Sequence, residues 1–334
     1  MAKSNLAGFF KRVGVLVLTF SLASSVAAQD AVRIGTSSVG STFYSLAVGA
    51  SEVISKHAGL NATVEPLGGS AANVVGIGDK RIEFAIANSF AAFGGYYGQF
   101  DFKKRADLRV VLQGSPSFRG FVVRKGSGIR TFKDLDGRTI VAKRRALPEL
   151  ELIMDAVIKA YGLNKASMKL VATTTTSEVF TALKVGTVDA AIVPFSRRAP
   201  HIEEPARDGV IDFLYMSGEK RQEILKSLPS VFYGEALPSG DYYGQTQPWH
   251  LFGLNTYLIT HPGVSEETVY RVTKALLDNL QEFATYYKGA LEYNAKATLS
   301  NIALPFHSGA MRYFKEKGLW TPALEAKQAE LLKR

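Results

Sequence analysis

Residues 34–46 read IGTSSVGSTFYSL, and the fold is decided here. An apolar segment, Val32 to Gly35, runs through hydroxyl residues into Ser41 to Lys56, whose apolar positions recur at helical spacing. Gly35 and Gly40 have the G-x-x-x-x-G spacing of a phosphate-binding loop. Ser41 and Thr42 follow, however, where that motif needs a lysine and then a hydroxyl residue, so a nucleoside triphosphate is not the expected occupant. A strand leading through neutral donors into a helix suits a carboxylate or small polar solute, held by N–H groups, hydroxyls and the helix dipole.

Outward from this stretch, Ala62 to Pro66 reads as a strand, Ser70 to Asp79 as a helix, Phe84 to Asn88 as a strand and Ser89 to Tyr97 as a helix. Such alternation predicts an α/β protein with a mostly parallel sheet flanked by helices. A second series follows: strands at Phe121 to Arg124, Thr139 to Val141, Lys169 to Ala172 and Asp189 to Val193, with helices at Pro148 to Tyr161 and Ser177 to Val185. Between the two series, Gly126 and Gly128 loosen the segment 122–140, which places a domain crossing there. Later, Leu254 to Thr260 reads as a strand and Val264 to Phe283 as one long helix with Ser265 as its N-cap, returning to the first domain.

The first 28 residues have the pattern of an export signal. Lys3, Lys11 and Arg12 are basic, Val13 to Leu22 is a short apolar run, and Val26-Ala27-Ala28 sets small residues before a cut after Ala28. That run is short for a bilayer span, so a soluble, periplasmic product is expected rather than an anchored one. Removing 28 of 334 residues leaves 306, enough for two medium domains, and takes three basic and no acidic residues, so a net charge of +10 becomes +7. No basic stripe interleaved with aromatics accompanies this excess, and nucleic acid is not an expected partner. There is no cysteine, hence neither disulfide nor thiolate chemistry.

In open α/β sheets, ligands lie beyond the carboxyl ends of the strands. Three such ends carry small polar loops, giving as candidates Thr36, Ser37, Ser41, Thr42 and Tyr44, then Gly69, Ser70 and Asn73, then Asn88 and Ser89. Any one loop of this kind is also compatible with a plain turn and helix cap, but three in succession favour a binding face. The second series ends its strands differently, in AKRRALPEL and PFSRRAP, offering Lys143, Arg144, Arg145, Phe195, Arg197 and Arg198. These read either as solvated basic turns or as guanidiniums that clamp an anion across a cleft. Enzyme signatures are thin. The five histidines show no zinc spacing and there is no G-x-S-x-G elbow, so neither a metal nor another cofactor is expected, although a triad from distant residues stays open.

Taken together, RIGTSSVGSTFYSLAVGASEVISKH (33–57), VEPLGGSAANVVGIGDKRIEFAIANS (64–89), ALKVGTVDAAIV (182–193), YYGQ (242–245) and LPFHSGAMRYFKEKGL (304–319) resemble the TAXI class of solute-binding subunits of TRAP transporters. The resemblance runs over nearly the whole mature chain. It implies a two-lobed periplasmic binding protein fold of type II-like form, with the ligand cleft between lobes and delivery to fused small and large membrane subunits. It also implies small carboxylate ligands such as glutamate, glutamine or 2-oxoglutarate. The lobes are expected at 29–122 with 216–334, and at 123–215. The family's cleft loops fall on Thr36 to Tyr44, on Gly69, Ser70 and Asn73, and on Asn88 and Ser89. In the second lobe, Ala142 to Ala146 and Pro194 to Arg198 stand where many members have small residues, which favours a more anionic solute such as a dicarboxylate. The expectation is therefore a monomeric binding protein, not an enzyme, for a small anionic solute. A sensor-linked or ABC-importer binding protein of the same fold, or a periplasmic enzyme using the cleft, are the alternatives.

Overall fold

The computed structural model describes residues 30–333 other than 101 and 301, so the export signal expected over 1–28 lies outside the described residues. The opening unit is as its sequence dictates. Strand β1 (Ala31–Ser37) ends in a loop with Gly40 at φ +80, and helix α1 (Thr42–Ala58) follows, with Ser41 as N-cap accepting from Tyr44 N at 3.2 Å. Leu46, Ala50, Val53 and Ile54 share the buried face of α1, the helical period made physical. Next come β2 (Asn61–Gly68), α2 (Ser70–Gly78), β3 (Phe84–Asn88) and α3 (Ser89–Tyr97). All five residues of β3 are buried, as expected of a strand covered on both faces.

Strand β4 (Arg109–Arg124) is much longer than the stretch 121–124 that the sequence marks as strand. The strand runs through Gly114 and Pro116 because Ser115 and Pro116 sit in a register shift where the partner strand supplies Asn255 alone, so the proline costs no ladder bond. Beyond it lie β5 (Thr139–Lys143), α4 (Glu149–Tyr161), β6 (Lys169–Ala172), α5 (Thr176–Val185), β7 (Ala190–Phe195), α6 (Pro200–Arg207), β8 (Ile211–Phe213), α7 (Gly218–Leu225) and β9 (Tyr233–Leu237). Strand β10 (Trp249–Thr260) then returns antiparallel along β4 from Arg119 to Arg109.

Helices α8 (Glu266–Asp278), α9 (Leu280–Tyr286), α10 (Ala295–Thr298), α11 (Ser308–Glu316) and α12 (Pro322–Leu332) close the chain. The single helix expected over 264–283 is broken at Asn279, whose side-chain amide donates to Ala275 O at 2.8 Å and so competes with the helical ladder.

The strands form one mixed sheet in the order β2-β1-β3-β10-β4-β7-β5-β6, with β8 and β9 pairing β4 and β10 respectively. Both flanks are parallel, and the two long antiparallel strands join them. One apolar core runs through Val32 to Leu112 and resumes at Tyr257, whereas Phe118 to Leu254 supply two others, joined from the first series by Phe90 and the half-buried Phe100. The cores change over at the register shift between β4 and β10. There the Tyr293 ring lies over Gly114, where a Cβ would come within 2.1 Å of it. Among the described residues no helix is long and apolar enough to cross a membrane.

Candidate functional site

The carboxyl ends of β1 and β7 and the N-termini of α1 and α5 converge where the two halves of the sheet meet. Between them is a small cavity of about 20 Å³. Ser37, Ser41, Thr42 and Phe43 line it from the first half; Ser117, Arg119, Leu147, Thr176, Pro194, Phe195 and Ser196 line it from the second. Six hydroxyls and one guanidinium face a wall of aromatic and aliphatic carbon. α1 has no acidic residue in its first turn, so its N-terminal dipole reaches the site without a side-chain counter-charge.

Of the residues singled out in the sequence, Ser37, Ser41, Thr42 and Phe195 are in this wall. Thr36 is fully buried beneath them, and Tyr44 is half-buried one turn into α1. Ser70 accepts from Asn88 N at 3.1 Å and Asn73 donates to Ile86 O at 2.7 Å, so both tie α2 to β3. Gly69 packs against Ala146 across the cleft. Asn88 caps α3 by accepting from Ala91 N and reaches over the cleft to Glu149 at 2.8 Å. Ser89 accepts from Asn255 N at 3.1 Å.

The basic loops part company. Arg144 is 4% exposed and points back to the first half, donating to Ser38 Oγ at 2.9 Å and Gly68 O at 2.7 Å, and within its own half to Thr176 Oγ1 at 3.2 Å. Burial, with Arg119 adding to it, pulls its pKa down to about 10 against the pull of Glu149 and Glu178, which leaves it charged at neutral pH. Arg145 is exposed, as is Arg198. Arg197 pairs with Glu235 at 3.4 Å and lies over the Phe118 ring. Lys143 pairs with Glu151 at 2.9 Å.

The cation in the cavity wall is instead Arg119, in the sequence PSFRGF, which no loop-based reading picks out because it sits inside β4. It is 1% exposed. Its Nη1 donates to Ser117 Oγ and Phe118 O, both at 2.8 Å, while Nε and Nη2 donate to Glu149 Oε1. Glu149 is completely buried at the first residue of α4, where the helix dipole favours its charge; Oε1 accepts from Arg119 and Asn88, and Oε2 has no partner. A buried pair of this kind is costly to desolvate and serves to fix geometry more than to stabilise. Ser117, Thr176 and Ser196 were also missed, the first two for the same reason: they lie at strand or helix positions without a distinctive motif.

The cavity wall holds neither an acid nor a histidine, so no general base faces its hydroxyls. Among the described residues no cluster of histidine, cysteine or acidic side chains is arranged to hold a metal ion.

The sequence profile of the NMT1-like family matches residues 34–318. Among solved structures, PhnD1 from Prochlorococcus marinus in complex with methylphosphonate superposes with a TM-score of 0.54 at 9% identity, over 87% of this chain and 99% of that one. MatC from Rhodopseudomonas palustris with bound malate gives 0.53 at 13% identity, over 78% and 88%. The ligand-binding component of an ABC-type import system from Staphylococcus aureus, with zinc bound, gives 0.50 at 12% identity, over 87% and 93%. The fold is that of these two-lobed periplasmic binding proteins.

Proposed function

The chain belongs to the NMT1-like family, and from that premise we propose that it is an extracytoplasmic solute-binding protein that captures a small carboxylate between two lobes. The lobes are taken as residues 30–114 with 256–333, and 117–254, meeting at the β4–β10 register shift. The observation that carries the reading is the cavity at that junction, whose polar groups are six hydroxyls, an uncapped-charge helix N-terminus and the Arg119 guanidinium. Every one of these donates to an anion or dipole, and none can act as a general base, so the site suits capture and release rather than turnover. Malate and methylphosphonate, bound by two proteins of the same fold, are small anions of the kind such a wall would hold.

Delivery to a TRAP membrane transporter is the partner we propose, on the strength of the TAXI-like segments from 33–57 to 304–319. An ABC importer is the second reading, favoured by the fold shared with the Staphylococcus aureus import component. Binding draws on the ligand's better affinity for the closed arrangement, which the transporter then recognises.

The test is a thermal-shift screen of protein unfolded and refolded to strip carried-over solute, against monocarboxylates, dicarboxylates, amino acids and uncharged sugars. A ligand that binds only the native form raises the melting temperature by mass action. Carboxylates should raise it and sugars should not; stabilisation by sugars alone would refute the reading. Growth of a strain deleted for adjacent TRAP or ABC membrane genes on the responding solute then separates the two partners.

A further inference from the structure

Three ionisable side chains are buried together at the lobe junction: Arg119, Arg144 and Glu149. They sense one another. Arg119 and Glu149 are in direct contact, and both influence the charge of Arg144. Two cations thus face a single anion. Arg144 is not otherwise neutralised within the protein interior, because its hydrogen bonds go to two hydroxyls and a carbonyl, and its Nε has no partner. The only other acid it senses, Glu178, is exposed and already accepts from the backbone and hydroxyl of Thr174. Arg145, Arg197 and Lys143 do not alter the sum, being exposed or paired with Glu235 and Glu151.

An uncompensated positive charge in a dry junction is unfavourable, and an anion entering beside Arg119 relieves it. A ligand with two negative charges would instead over-fill the junction and meet the Glu149 carboxylate at close range. Resting on the reading of the cavity as an anion site, we infer that the cleft selects ligands of net charge minus one, and that Glu149 is the residue that sets this limit by cancelling one of the two guanidiniums. Glu149 acts through Arg119 and does not line the cavity itself, so it is a specificity-positioning residue. Of the two buried cations Arg119 is already balanced by Glu149, so the basic loops add a single uncompensated charge, through Arg144, rather than the several their sequence suggests.

Calorimetric titration of the stripped protein with a five-carbon series tests this. Pentanoate and glutamate carry net charge minus one, glutarate and 2-oxoglutarate minus two, and glutamine none. In the parent protein the better singly charged member should bind about tenfold or more tightly than either doubly charged one. In Glu149→Gln the preference should swing toward the doubly charged members by a similar factor, about tenfold, a change that a merely structural role for Glu149 would not produce since it would weaken all five alike. The parent series stands whether or not the variant folds. Tighter binding of glutarate or 2-oxoglutarate to the parent would overturn the charge limit while leaving the anion site intact. Binding of glutamine alone would likewise overturn the charge limit, its α-carboxylate still occupying the anion site; binding of none of the five would overturn the anion site as well.

Discussion

Arg144, carried by the second lobe, donates to the Gly68 carbonyl of the first at 2.7 Å, from a position almost wholly removed from solvent. The same guanidinium holds Ser38 Oγ, which in turn accepts from Thr176 N at 3.3 Å, so one side chain ties the β1–α1 loop, the end of β2 and the start of α5. Hydrogen bonds from a charged donor are worth roughly 2 kcal/mol each when buried. Arg144→Met keeps an unbranched apolar stem and removes these donors. It should shift the molecule toward an open arrangement, seen as a larger radius of gyration in small-angle scattering, and weaken solute binding by about tenfold or more. Scattering and affinity both equal to the parent would show that Arg144 does not hold the lobes together.

Gly114 lies at the point where β4 passes from one lobe to the other, under the Tyr293 ring. An alanine Cβ there would come within 2.1 Å of the ring, and the ring is buried with nowhere to retreat. Overpacking of this kind costs about 1–3 kcal/mol. Gly114→Ala should therefore lower the urea midpoint accordingly, whereas Gly126→Ala, with open space around it, loses only what its positive φ demands. Equal midpoints for Gly114→Ala and the parent would mean that the crossing yields more easily than its packing indicates.

Much of this was legible beforehand. Alternation of apolar runs with amphipathic stretches gave the α/β class, and Ser37, Ser41 and Thr42 were visible because a strand end, a glycine and a helix cap leave a strong local pattern. The crossing was not. Gly114 and Pro116 carry the local signature of a break, and only the partner strand, 140 residues later, shows that they form a bulge inside one continuous strand. Arg119 was hidden for the same reason, as an ordinary strand residue whose importance comes from Glu149 thirty residues away. The arginine-rich loops drew attention because charge clusters are conspicuous in sequence, but which guanidinium turns inward depends on partners such as Glu235 and Gly68 that spacing does not reveal.

His201, at the start of α6, is hydrogen-bonded to Pro194 O at 3.1 Å and so supports the strand end that carries Pro194, Phe195 and Ser196 into the cavity. Burial pulls its pKa down to about 4 from 6.5, against the raising effect of that carbonyl. The native form therefore takes up the proton less readily than the unfolded chain, so stability is full above the ordinary value and declines as pH falls from 6.5 toward 4. His250, His261 and His307 are lowered too, mainly by burial, and slope the same way. Melting temperature followed from pH 7 to pH 4 should fall less steeply in His201→Gln than in the parent; identical slopes would remove His201 from the account.

Phe195, in the cavity wall, is stacked on Trp249 with ring centroids 4.9 Å apart and planes 13° from parallel. Trp249 is buried, and the chain's other tryptophan, Trp320, packs on Phe306 in the first lobe. A solute touching Phe195 should thus alter the emission of Trp249. Titration of the stripped protein with a carboxylate that stabilises it should give a saturable fluorescence change that disappears in Trp249→Phe and persists in Trp320→Phe. The opposite assignment would place the solute away from Phe195.

Gly69 separates closure from folding. Its φ of 161° is extended backbone open to any residue, so an alanine carries no conformational penalty there. What an added Cβ would meet is the other lobe: Ala146 O at 2.8 Å, Ala146 Cβ at 3.0 Å and Leu147 Cδ2 at 3.2 Å. The collision exists only while the lobes are together, because those atoms belong to the loop between β5 and α4. Gly69→Ala should accordingly leave the fold of each lobe intact, with an unchanged circular dichroism spectrum, yet weaken solute binding by about tenfold, mainly through faster release. Since Leu147 lines the cavity and Ala146 does not, the larger Gly69→Val should weaken binding further without changing the order of preference among solutes. Parent-like affinity in both variants would mean that the solute binds without bringing Gly69 and Ala146 together, and that capture does not use the closed junction.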